Sequence, residues 1–141
     1  MDTNLPFTYV KNILVLGSLM INKYHEFILP MSLGTLLTGT IVAHGFPCGV
    51  SKKYNLSLSM IRIGDVLMHW IPLILMLVYT SGKVSISQSL IAIVLPLLYF
   101  SYKYKTCQVV NPKNHIMETY PDVPLWVFFM YMGGCLLSTL L

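Results

Sequence analysis

The stretch Met60-Ile-Arg62-Ile-Gly-Asp65-Val-Leu-Met-His69-Trp-Ile-Pro72-Leu-Ile-Leu-Met-Leu-Val-Tyr79 decides how the chain is read. It has the length of a membrane helix, which needs about 20 apolar residues, yet it carries Arg62, Asp65 and His69. On the translocon scale a charged side chain at the centre of such a helix costs roughly 2.5 to 3.5 kcal/mol, so these residues face a partner, a cavity or the membrane edge. At about 100° per residue, positions i, i+3 and i+7 fall within an arc of about 60°. The spacing predicts one polar stripe.

Working outward, the composition fits a membrane protein. Of 141 residues, 55% are hydrophobic and 10% charged, with a mean hydropathy of +0.69, whereas soluble domains carry about 25% charged residues. There is room for about four membrane helices with short connections. Nine Lys and Arg against five Asp and Glu give a net charge of +4. They are scattered between apolar runs as membrane-flanking anchors are, and no basic cluster interleaves with exposed aromatics, so nucleic acid is not an expected partner. Cys48, Cys107 and Cys135 show no metal-ligand spacing and read as free thiols; no metal or cofactor is expected. Lys11 precedes the apolar run Ile13 to Ile21 without an A-x-A-like cleavage site, so this segment reads as part of the mature protein.

The expected architecture is all-α: an integral membrane four-helix bundle with an additional short N-terminal helix, interfacial or partly inserted, over about residues 5–22. Spans are expected over about residues 27–46, 59–80, 84–102 and 125–141, within a single domain. Gly45-Phe46-Pro47-Cys48-Gly49 closes the first, and Ser81-Gly82-Lys83 turns the chain between the second and third. Thr35, Gly39 and Ala43 recur every four residues, and Gly134 and Ser138 repeat that spacing, so both sets are read as helix-packing faces. Pro72 and Pro96 each free a carbonyl one turn back and shape their helices. Tyr99, Tyr102, Lys103, Tyr104 and Lys105 form an aromatic and basic collar ahead of a polar loop from Thr106 to Pro121.

Orientation follows from Lys and Arg. With four spans, Lys52, Lys53, Arg62, Lys103, Lys105 and Lys113 share one side, and Lys11, Lys23 and Lys83 the other. The richer side is cytoplasmic. The sequon Asn55-Leu56-Ser57 then faces the wrong compartment for glycosylation.

His69 is the best single candidate for chemistry. A neutral imidazole there accepts or donates a proton, and Asp65, one turn away, orients its N–H and fixes the tautomer. Arg62 snorkels toward headgroups or pairs with Asp65. The favoured reading is nonetheless a stripe of Arg62, Asp65 and His69 that satisfies itself against neighbouring helices, ahead of a catalytic or proton-relay role. Metal ligation by His44, His69 and His115 would need three helices to converge, without ligand spacing to support it.

The block Asp65-x-x-x-His69-x-x-Pro72, a following hairpin with Pro96-Leu97-Leu98-Tyr99, then Tyr120-Pro121 and Trp126-Val127-Phe128-Phe129 resembles the C-terminal half of the androgen-induced-protein-like membrane family, over about residues 27–141. Members are six-span hydrolases of lipid esters that use an intramembrane Thr nucleophile and a His. The resemblance matches His69 to that histidine. The family's Thr lies on an earlier helix with no counterpart in this match, and the His-to-Pro spacing is tighter here; Thr35, Thr38 and Thr40 are the loosest of substitutes.

Three functions follow as expectations. The first is a structural or anchoring component of a larger membrane-associated assembly, either an organellar complex or the internal membrane of a large virus, with the lipid bilayer and other protein subunits as partners. The second is a lipid-ester hydrolase, or its inactive relative, with His69 as base, Asp65 behind it and Thr35 or Thr38 as nucleophile. The third is a small transporter or proton conductor using Asp65 and His69. Geometry discriminates: the enzyme needs a hydroxyl within reach of the imidazole, and the conductor needs a water-accessible cavity.

Overall fold

A computed structural model describes residues 7–45, 47–48, 51, 55–106 and 126–141, and every regular element among them is helical. The first helix, α1, is Phe7–Ile21. At about 1.5 Å per residue it is too short for the roughly 30 Å hydrocarbon core. It ends where Asn22 turns left-handed, at φ 51°. Lys23 N–H then donates to the Ser18 carbonyl at 3.1 Å and Asn22 N–H to the Leu19 carbonyl at 3.4 Å, the paired bonds of a Schellman stop with Asn in the place usually held by Gly.

Helix α2, His25–Gly45, follows after Tyr24 reverses the chain at φ 67°. Helix α3 runs Leu58–Tyr79. Its start is set by Ser57, whose hydroxyl accepts the Met60 N–H. Midway, Val66–Trp70 widens into a π-turn in which Ile71 N–H reaches the Val66 carbonyl, five residues back.

Helix α4, Ile86–Thr106, starts later and ends later than the expected span over 84–102. The start is fixed by a reciprocal cap: Ser85 N–H donates to Gln88 Oε1 at 2.7 Å, and Gln88 N–H donates to Ser85 Oγ at 3.3 Å. Replacing Ser85 with alanine is expected to lower stability by about 1 kcal/mol, read as a shift in the detergent-solubilised melting curve. Helix α5, Trp126–Leu137, tightens into a 3₁₀ turn over Ser138–Leu140. Among the described residues, only α2 and α3 are long and apolar enough to cross a membrane; the apolar runs of α4 and α5, Ile86–Pro96 and Phe129–Leu140, are shorter. The collar side chains, Cys107, His115, Glu118 and the expected loop to Pro121 lie outside what is described.

Helix α2 is the hub, packing against all four other helices. Its tightest crossing is with α5. A Cβ on Gly134 would lie 2.8 Å from Gly34 Cα, and one on Gly34 would lie 2.8 Å from Tyr131. Backbones therefore touch. Around this crossing Leu29, Met31, Leu36, Ile93, Tyr131 and Cys135 form the core. Tyr131 closes it by donating its hydroxyl to the Ala92 carbonyl at 2.7 Å, and Ser89 and Ser138 hydroxyls meet at 3.2 Å between α4 and α5. The outward faces of α3 and α4 are apolar, with Ile63, Trp70, Ile74, Val78, Leu90 and Val94 all exposed.

Candidate active site

The π-turn of α3 has a cause in the sequence. Pro72 has no N–H to return to the Met68 carbonyl four residues back, so the α-ladder is broken at that carbonyl. The turn before it widens, as single π-turns do, frequently at functional sites. Asp65 stands at its start and His69 within it, and the two remain one turn apart: His69 Nδ1 lies 2.9 Å from Asp65 Oδ1.

Asp65 is the centre of a converging set. Its side chain is 1% exposed. Besides His69 it meets His44 Nε2 at 3.3 Å through Oδ2, and Thr40 Oγ1 donates to both carboxylate oxygens at 3.2 Å. An ionised carboxylate only accepts, so His69 Nδ1 and His44 Nε2 both carry hydrogen toward it. This gives the buried charge the hydrogen bonds that such a charge requires. Arg62 is exposed, and the partners of Asp65 among the described residues are two histidines and a threonine. The expected three-residue stripe is thus divided by burial: Asp65 is buried, His69 half-buried and Arg62 exposed.

With Nδ1 committed as donor, a neutral His69 presents the lone pair of Nε2 on its far side. The group found there is the Thr8 hydroxyl, 3.5 Å away, in the first turn of α1. Thr8, His69 and Asp65 therefore line up as hydroxyl, imidazole and carboxylate, drawn from two helices. The ring is seated against Gly39 of α2, where any Cβ would collide with the imidazole. Gly39 is thus where α2 makes room for a side chain of α3.

The other expected hydroxyls are occupied elsewhere. Thr35 donates to the Ser32 carbonyl at 3.1 Å and Thr38 to the Gly34 carbonyl at 2.9 Å, both within α2. Ala43 is buried. Gly134 meets Gly34, and Ser138 bonds Ser89 and the Cys135 carbonyl. Among the described residues no three His, Cys, Asp or Glu side chains are arranged to hold a metal ion.

Beside the centre lies a residue the charge count placed at the membrane flank. Lys11 is fully buried, at 0% exposure. Its ammonium donates to the Met68 carbonyl at 2.9 Å, the carbonyl that Pro72 leaves without its helical partner. Asn12 donates to Met68 Sδ at 3.2 Å, while its Oδ1 is buried with no partner among the described residues.

Thr8 and Asn12 are site residues that reading the chain helix by helix passes over, while Lys11, Thr40 and His44 stand in roles other than the flanking anchor, nucleophile and metal ligand considered for them. A signal was present: Thr8, Lys11 and Asn12 stand at i, i+3 and i+4, and Thr40 and His44 at i and i+4, so each set shares one helix face. Compared with protein-family models, curated proteins and solved structures, the chain matches none.

Proposed function

We propose that this chain is an integral membrane hydrolase of lipid esters, with Thr8 as nucleophile, His69 as general base and then acid, and Asp65 holding the imidazole. In this reading α2 to α5 lie in the bilayer as a four-helix bundle, and α1 is partly inserted, with Thr8 brought to the depth of His69. The observation that carries it is the continuous line from Thr8 Oγ1 through His69 Nε2 and Nδ1 to Asp65 Oδ1. Nucleophile, base and orienting carboxylate in that order are the recurring plan of acyl-transfer sites on unrelated folds. The 3.5 Å step suits a site at rest, because such bonds tighten when substrate binds.

The chemistry follows from the tautomer. Thr8 Oγ bonds to the ester carbonyl carbon, its proton passes to His69 Nε2, and the carbonyl π electrons move onto oxygen. Collapse of that intermediate expels the alcohol oxygen, which takes the proton from Nε2 and leaves an acyl-threonine. Water then repeats the sequence through His69, releasing the acid and restoring Thr8. Throughout, Asp65 stabilises the imidazolium without taking its proton. A lipid substrate suits the exposed apolar faces of α3 and α4, which would let an acyl chain approach from the bilayer.

The test is turnover of a fluorogenic acyl ester in detergent micelles by wild type, T8A and T8S. Wild-type activity should fall by about 10²-fold or more in T8A and survive in part in T8S, which keeps a hydroxyl at the same place. Equal rates in wild type and T8A would remove Thr8 as nucleophile.

The same exposed apolar faces support a second reading, an anchoring component of a larger membrane assembly. Its mark would be stoichiometric protein partners retained through gentle detergent purification, with T8A and H69A leaving them in place.

A further inference from the structure

The hydrolase reading leaves one buried amine, that of Lys11, without a role. Lys11 has three N–H bonds to give, and among the described residues it has one acceptor, the Met68 carbonyl. It forms no ion pair among the described residues; Asp65 is held by His69, His44 and Thr40 instead. A fully buried amine with N–H bonds unmet among the described residues is costly, and more so at the level of Met68, midway along α3. Such a cost calls for an explanation.

The position of Lys11 supplies one. Thr8 and Lys11 stand at i and i+3 on one face of α1, and helical side chains lean toward the N-terminus, which aims the lysine stem at the turn holding Thr8. The two side chains meet α3 at consecutive residues, Lys11 at Met68 and Thr8 at His69.

We propose that Lys11 is the oxyanion-stabilising residue of this centre, its unmet N–H bonds being directed at the carbonyl oxygen of an acyl ester when Thr8 attacks. The assignment rests on the hydrolase reading. As Thr8 attacks, negative charge develops on the ester carbonyl oxygen, beside an amine already buried and already oriented by the Met68 carbonyl, so little reorganisation is needed at the moment of reaction. The competing role is purely structural: Lys11 plugs the carbonyl that Pro72 orphans.

Two variants separate these roles, with the fluorogenic acyl ester as the substrate and melting curves read beside it. In K11Q the amide can still donate to the Met68 carbonyl but carries no charge, and in K11R both the donor and the charge are kept. Relative to wild type, kcat of K11Q should fall by about 10²- to 10³-fold, with KM and melting temperature little changed, as when an interaction made only in the transition state is lost, and K11R should keep part of the activity. If K11Q turns over as fast as wild type, or only KM rises, or kcat falls only together with the melting temperature, Lys11 is a structural plug and the assignment is overturned. Wild type no faster than T8A would overturn the hydrolase reading, and this assignment with it.

Discussion

Replacing His69 with alanine is expected to lower kcat for ester hydrolysis by about 10⁴-fold, because the Thr8 hydroxyl then has no base to take its proton. The loss should be chemical rather than architectural. Asp65 keeps the Thr40 hydroxyl and His44 Nε2 as partners when the imidazole is removed, so its buried charge is not stranded. The melting temperature should therefore fall modestly while activity disappears. Asp65→Asn should produce a loss of similar size by another route. An amide at position 65 can donate to Nδ1, which would move the ring hydrogen to Nε2 and leave Thr8 facing a donor. Measured together, kcat and melting curves of H69A and D65N distinguish a catalytic centre from a polar knot that only holds helices together.

The largest effect on stability is expected at Gly34. Leucine there must place its side chain where Tyr131 lies and where Gly134 approaches, and the contacts are 2.8 Å to the Tyr131 ring and to its backbone oxygen. Backbone cannot step aside as a flexible side chain can. The α2 and α5 helices must separate, breaking the packing around Leu29, Met31 and Cys135 and straining the bond from Tyr131 to the Ala92 carbonyl. Overpacking at ordinary core sites costs about 1 to 3 kcal/mol. With two backbones in contact, Gly34→Leu should exceed that range and give a chain that fails to fold in detergent. Gly17→Leu is the control: nothing lies within 4 Å of its Cβ position, so it should fold as wild type. Size-exclusion profiles and helical circular dichroism of the two variants read the difference.

How much of this was legible in the sequence depends on whether the deciding contact lies within one helix or between several. The all-helical class, and the presence of membrane-length apolar helices, follow from hydropathy alone, and α3 begins and ends within a residue of the span expected from its stretch of sequence. Spacing also singles out Asp65 and His69, because i and i+4 are neighbours on any helix. The number of spans was less legible: α4 and α5 have apolar runs shorter than those of α2 and α3, so the four-span bundle belongs to the proposal above. The start of α4 was written in Ser85 and Gln88, three residues apart, a signature that hydropathy does not register.

The partners of the pair were hidden for a different reason. Thr8 lies 61 positions from His69 in the chain, and no periodicity links residues on separate helices. Lys11 was misleading. A lysine ahead of an apolar run has the form of a flanking anchor, and its contact with the Met68 carbonyl lies on another helix, where its own stretch of sequence gives no sign of it. Gly39 likewise reads as a small residue for helix contact, but its spacing does not say that the ring of His69 occupies the space it leaves. In each case the residue type was informative and its partner was not.

The most direct measurement of the central claim is covalent capture. Purified protein would be treated in micelles with a fluorophosphonate carrying an alkyl chain, which marks an activated hydroxyl, and the adduct would be located by peptide mass spectrometry. A phosphonate on Thr8, formed by wild type and lost in H69A, is the predicted result. Labelling that ignores His69, or wild-type protein that takes up no label at Thr8, would contradict the account.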